Sequence, residues 1–331
     1  MSKPLEVTIT VGTSFSIGGA FDNPEQFKPV GERSLLGEIG GVGHGLDFML
    51  DTFQKYNIDA SFFIETANHC YFGDEPMRRI LKKINDANQD TQLLVHPCWF
   101  HFDKQNQHST NDSCADRPKA ELREIFTRCI ETFERWTGKK PEAIRAANCQ
   151  IDAQAYKVIH ELGIPISSSL GLGINIPVGK KLLLNGGRTK LEGVMEVPLF
   201  TYADRDIMGG FPSKTLQITS CSWREMRCVL KKARKKGIEN IVILTQPFDY
   251  IKKRDAQYKE ITQNRVNQER LEKLCRFIAE NSQDFVSKSF GSEAHIWKDK
   301  ELPNVRRFKI PTTYRNFRKI ENFINDKFWN Y

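Results

Sequence analysis

The segment LEVTITVGTS starts at Leu5, alternates apolar and polar side chains, and ends on Gly12, Thr13 and Ser14. Alternation of this kind running into small residues predicts a strand that stops at a turn. The ends of buried strands are where α/β proteins place their acids, bases and metal ligands. None of these three residues is an acid, a histidine or a cysteine, so the expected place for chemistry is bare. Ionisable side chains stand elsewhere, among them His44, His69, His96, His101 and Asp249. His108 falls in a polar loop, His160 in a helical pattern and His295 near the end of the chain, and we assign these three no role.

The eight cysteines (Cys70, Cys98, Cys114, Cys129, Cys149, Cys221, Cys228 and Cys275) form no CxxC pair and no dense framework. That scatter fits reduced thiols used as small core fillers, and argues against a zinc knuckle or a disulfide scaffold. GEIGGVGHGLDF is rich in glycine but lacks the GxGxxG spacing after a clear strand, so it reads as a loop leading into a helix. KKARKKG places cations at the end of a helix, where the macrodipole favours them.

The elements that must position these groups alternate along the chain. LDFMLDTFQKYNI reads as a helix and IDASFFIET as a buried strand; EPMRRILKKINDANQ is a helix and TQLLVHPCW a strand. FDKQNQHSTNDSCADRP is a polar loop long enough to be a functional flap or an insertion. KAELREIFTRCIETFERWTG, EAIRAANC, IDAQAYKVIHELGI, SWREMRCVLKKARKKG, IENIVILTQPF and RVNQERLEKLCRFIAENS continue the alternation. This order argues for parallel strands covered by helices in one large domain. In the tail, Phe317, Ile320, Ile324 and Phe328 recur at helical spacing, an apolar stripe expected to dock on the domain. Basic residues interleaved with aromatics there also suit a nucleic-acid or membrane surface.

The 331 residues carry a formal net charge of +8. A basic balance favours an anionic partner such as an acidic glycan, a sugar nucleotide, nucleic acid or an anionic membrane, and it equally suits a plain soluble surface. No apolar run approaches the roughly 18 residues of a transmembrane helix, and MSKPLEVTIT lacks the apolar core of a signal peptide. The expected location is the cytoplasm.

GTSFSIGGAFDNPEQFKPVGE, HGLDFMLDTFQKYNIDASFFIETAN, YFGDEPM, TQLLVHPCWFHF, IRAANCQIDAQAYKVIHELGI, ILTQPFDYIKKRD and NRVNQERLEKLCRFI follow one another as the segments of a known family do. The chain resembles the polysaccharide deacetylases of the NodB-homology, carbohydrate esterase 4 type, most closely the bacterial branch found with glycan biosynthesis genes. The resemblance covers nearly the whole chain, including the ENFINDKFW tail. It implies an α/β fold, a distorted (β/α) barrel with seven strands over residues 1–290, and a basic aromatic extension over 291–331 packed on it.

The same resemblance implies a divalent metal, zinc or another, held by an acid and two histidines. A second acid would serve as base and a histidine on a late strand as acid. Where that branch has Asp-Thr-Glu, this chain has Gly12, Thr13 and Ser14. Where it has His-x-His-Pro-x-Trp, Leu94 replaces the first histidine and His96, Pro97, Cys98 and Trp99 follow. Where it has Leu-Thr-His-Pro-Phe, Gln246 replaces the histidine. Glutamine cannot transfer a proton at neutral pH, and a lone His96 holds a cation only weakly, with no negative charge expected nearby. Arg145 matches the arginine of the third motif, free to meet a carboxylate, sulfate or phosphate. Trp99, Phe100 and His101 offer surface for stacking on a sugar, and Asn148 can bond hydroxyls; packing is the structural alternative for each.

Three functions fit. The first is a catalytically degenerate homologue that binds a glycan or its precursor, or serves a glycan-assembly enzyme, without a cofactor and without nucleic acid. The second is an active hydrolase of carbohydrate amide bonds whose metal site is rebuilt from His44, His69, His96, His101 and Asp249. The third is a structural or regulatory protein acting through its tail.

Overall fold

The computed structural model describes residues 3–101, 111–204, 210 and 212–328. Nine strands form the main sheet: β1 (Leu5–Thr13), β2 (Ala60–Glu65), β3 (Asp90–Val95), β4 (Ala143–Ala146), β5 (Ile166–Ser167), β6 (Thr189–Leu191), β7 (Val194–Glu196), β8 (Asn240–Thr245) and β9 (Phe285–Ser287). Their order is β8-β1-β2-β3-β4-β5-β7-β6, with β9 also paired to β1. From β8 to β7, seven strands run parallel in series, as the resemblance implies; only β6, at the edge, is antiparallel.

The sheet curls until its ends meet through irregular backbone. Leu199 N–H donates to Leu170 O (2.8 Å) and Phe200 N–H to Val242 O (2.9 Å), while Leu244 N–H donates to Leu216 O (3.1 Å). Residues 197–200 and 216–218 therefore stand where a regular strand would complete the ring.

Side-chain alternation defines two cores. Phe62, Leu93 and Ile243 face outward into the layer under the helices, whereas Phe63, Leu94, Val242 and Leu244 face the barrel interior. Strands buried on both faces need continuous apolar runs, which is what ASFFI and NIVIL supply.

The covering helices are α1 (Leu46–Tyr56), α2 (Glu75–Asp86), α3 (Lys119–Thr137), α4 (Ala153–Glu161), α5 (Trp223–Lys235) and α6 (Arg265–Glu280). Gly138 ends α3 in a left-handed conformation, and Ser222 opens α5 with a capping box to Glu225, the expected punctuation. α7 (Phe290–Trp297) closes the barrel at the amino ends of the strands. Its Phe290 N–H donates to Ser61 Oγ (2.7 Å) while Phe290 and Trp297 fill the interior. Among the described residues, this helix plugs the barrel interior at that end, and the carboxyl end is not covered by it.

The tail helix α8 (Thr312–Phe328) corrects one expectation. Of the apolar stripe, Phe317 and Ile320 are exposed, as is Phe323 beside them, with the Arg224 guanidinium 4.2 Å from the Phe317 ring centroid; the side chains of Ile324 and Phe328 lie outside the described residues. The polar face docks. Arg318 pairs with Glu225 and with Asp204 (2.7 Å), and Glu321 and Asn322 accept from Arg270 at 2.9 and 2.8 Å.

Candidate functional site

A cavity of about 490 Å³ opens at the carboxyl ends of the strands, within the usual range for a small-ligand site. Gly12 and Ser14 reach it from the end of β1, Leu94 and His96 from β3, Arg145 and Asn148 from β4, and Gln246 from β8. Parallel strands in register bring together residues that lie up to 234 positions apart in sequence.

Arg145 sits in the cavity wall at 4% exposure. Its Nε donates to Ser168 O (2.7 Å), Nη2 to Ser168 Oγ (2.7 Å) and Nη1 to Thr10 Oγ1 (3.0 Å), and the guanidinium lies 4.1 Å from the Phe63 ring centroid. Among the described residues no carboxylate touches it. Burial pulls its pKa down to about 10, so it stays charged at neutral pH. Lys253 also lines the cavity, and among the described residues no Asp or Glu does. The electrostatics of this space suit an anion.

His96 follows β3, and its Nδ1 lies 2.6 Å from Oδ2 of Asp112. The other Asp112 oxygen accepts from Cys98 N–H (3.2 Å), and Asn148 Nδ2 donates to Oδ2 (3.2 Å). Burial disfavours the imidazolium, but the Asp112 charge, with Glu65 beyond it, outweighs this and raises the His96 pKa. The expectation that nothing near His96 replaces the lost negative charge is therefore overturned: Asp112, from the polar loop, supplies it. Asn148 and Cys149 occupy left-handed backbone, with φ of 53° and 55°, strain of the kind concentrated at binding sites.

Glu65, at the end of β2, escaped the sequence reading. It is fully buried, its carboxylate accepts from Ala67 N–H (2.5 Å) and Asn68 N–H (2.9 Å), and burial pushes its pKa up to about 8.

The other expected residues do not gather here. Trp99 is buried at 1% exposure against Phe72, with no face for a sugar, because the turn Pro97–His101 folds it into the core. Phe100 packs under Arg128. The side chain of His101 lies outside the described residues, as does His108. His44 contacts Gln263 (3.0 Å), and His69 contacts Thr66 O (2.8 Å). Asp249 turns back to cap its own turn, accepting from Gln246 N–H (2.8 Å) and Thr245 Oγ1 (3.1 Å), and burial raises its pKa to about 7. None of His44, His69 and Asp249 lines the cavity.

No protein-family model and no curated protein matches the sequence. Solved structures do match. One described as a polysaccharide deacetylase from Mycobacterium smegmatis is 15% identical over 92% of this chain and 98% of its own, with a TM-score of 0.51. The fold is that of a polysaccharide deacetylase. A 4-α-glucanotransferase from Thermococcus litoralis reaches the same TM-score, 0.51, at 8% identity, with 98% of this chain lying on 47% of that one. A CE4-family pseudoenzyme from Bacillus anthracis is 10% identical over 94% of this chain and 71% of its own, with a TM-score of 0.45.

On this polysaccharide deacetylase fold, the metal set implied by the sequence resemblance can be tested against the side chains present. Gly12 and Leu94 offer no side-chain ligand atom, Ser14 offers only a neutral hydroxyl, and His96 is what remains; that set does not fit a divalent ion. A different trio lies beside it. His96, Cys98 and Asp112 hold possible donor atoms within 4.8 Å of one another. Imidazole, thiol and carboxylate are a donor set that zinc accepts. His96 and Asp112, however, are already joined at hydrogen-bond distance, and burial pushes the Cys98 thiol far above its usual pKa.

Proposed function

We propose that this chain is a catalytically degenerate polysaccharide deacetylase homologue of carbohydrate metabolism that binds an acidic glycan or glycan precursor without hydrolysing it. The observation that carries this reading is the cavity wall: Arg145 and Lys253 line it, and among the described residues no carboxylate does. Amide hydrolysis on this scaffold needs a base and a proton donor, and the corresponding positions hold Gly12, Ser14 and Gln246. A buried guanidinium without an acidic partner instead favours a carboxylate, sulfate or phosphate on a ligand. Ser14, Ser16, Asn148 and Gln246 supply neutral hydrogen-bonding groups for sugar hydroxyls. We place the protein in the cytoplasm, with a glycan-assembly enzyme as a further partner; among the described residues no helix is long and apolar enough to cross a membrane.

Calorimetry with uronic-acid oligosaccharides and their neutral counterparts tests the reading. Preferential binding of the acidic set, lost by at least tenfold in Arg145→Met and accompanied by no release of acetate from N-acetylated oligosaccharides, is the expected result. Equal affinity for neutral sugars, or turnover, would overturn it.

A second reading, an active carbohydrate de-N-acetylase with a rebuilt metal site, is favoured by the closeness of His96, Cys98 and Asp112. Near-stoichiometric zinc in protein purified without chelator, together with chelator-sensitive acetate release, would establish it over the first.

A further inference from the structure

The loop after β5 holds aliphatic side chains in water. Ile174, Ile176 and Val178 are 39%, 72% and 88% exposed, and the intervening Pro177 is buried. Exposed Lys180 and Lys181 follow directly.

The loop is held in shape at both ends. Ile174 N–H donates to Gly171 O (2.8 Å), Gly173 N–H to Thr215 Oγ1 (2.9 Å) and Asn175 Nδ2 to Cys149 O (3.0 Å). Beyond the lysines, Leu182 and Leu184 enter the core. A fixed backbone that presents aliphatic side chains outward loses little conformational freedom on burying them. Ile174 also lines the cavity, so the loop stands at the cavity mouth.

We propose that this loop seats the barrel on an anionic lipid surface, Ile176 and Val178 entering the acyl boundary while Lys180 and Lys181 meet the headgroups. Charge complementarity selects this occupant: an apolar tip followed by two cations, on a chain of net charge +8, matches a negatively charged bilayer surface. Protein interfaces are built instead on aromatic and arginine anchors, and residues 173–181 contain neither. The proposal is independent of the function assigned to the cavity, which it would place facing the membrane.

Co-sedimentation of the full chain with vesicles of phosphatidylglycerol and phosphatidylcholine, against phosphatidylcholine alone, tests it. Binding to the anionic vesicles only, weakened by salt, is expected. The variant I176D/V178D should bind at least tenfold more weakly with an unchanged melting temperature, and K180E/K181E, which leaves the apolar tip intact, should also lose binding at low salt. Failure of the native protein to sediment with anionic vesicles, or native binding by either variant, would overturn the proposal. So would loss of binding in F317S/I320S/F323S alone, which would move the contact to α8, or a wild-type concentration-dependent dimer that I176D/V178D abolishes without any effect on vesicles.

Discussion

His96 Nδ1 and Asp112 Oδ2 lie 2.6 Å apart, a pair that ties the polar loop to the end of β3 and is joined at the cavity edge by Asn148. Asp112 accepts from three partners at once: His96, the Cys98 N–H and Asn148. Asp112→Ala would leave His96 and the Cys98 N–H without this partner in a largely buried place, while Asn148 is exposed. A loss of about 1–3 kcal/mol is expected, measured by urea unfolding; Asp112→Asn, which keeps one acceptor, should lose less. Equal losses in the two variants would show that the side chain only fills space.

Installing at Gly12, Ser14, Leu94 and Gln246 the side chains that the sequence resemblance implies tests the proposed degeneracy. A Cβ on Gly12 would meet Gln246 Cγ at 3.5 Å, an ordinary contact, so a side chain can start there without a clash. The variant G12D/S14E/L94H/Q246H should bind zinc and gain thermal stability on titration, with a smaller or no gain in the native chain. An equal response in both would show that the native chain already has its metal donors elsewhere.

Glu65 predicts a pH dependence. Burial raises its folded pKa from 4.5 to about 8, so the folded state holds the proton more tightly than the unfolded chain. Its contribution to stability is greatest below about 4.5, falls as pH rises, and levels off above about 8. Each pKa unit of separation corresponds to about 1.4 kcal/mol. The stability of Glu65→Gln relative to the native protein should therefore increase from pH 5 to pH 8. A difference that stays constant over that range would refute the assignment.

The tail separates two kinds of contact. Arg318 is the ion-pair partner of Glu225, which is fully buried. Arg318→Ala would leave that carboxylate without its counter-charge, held by the Ser222 N–H, and should cost about 3–5 kcal/mol. Phe317→Ser and Ile320→Ser, on the exposed face, should each change stability by less than about 0.5 kcal/mol. The reverse ranking in thermal melts would mean that the apolar stripe, and not the polar face, holds the tail.

Much of the barrel was legible because buried parallel strands leave continuous apolar runs and their helices leave a 3.6-residue period. The bare end of β1, and Leu94 and Gln246 where the resemblance implies histidines, were legible because the words around them match. Asp112 was not: it comes from a loop with no periodicity, and its pairing with His96 depends on how that loop folds back. Glu65 looked like the polar end of a strand, since sequence cannot say that helices close over it. Trp99 reads as a rim or core packer before it reads as a sugar platform, and the turn after β3 puts it in the core. In the tail, the apolar stripe was visible but the buried acid on α5 awaiting Arg318 was not, so the docking of the polar face was missed.

The position of β1 also sets the order in which the molecule can be built. It pairs on one side with β8, and on the other with β2 and β9, whose residues reach 287. During synthesis the first strand has no partner along its β8 side until residues 240–245 emerge, which at about 5–20 residues per second leaves that edge open for roughly ten to fifty seconds. A nascent chain with Val7, Ile9 and Val11 on an unpaired edge is a template for pairing with another chain. Yield during expression should therefore depend more on chaperone supply and translation rate than the stability of the finished barrel suggests.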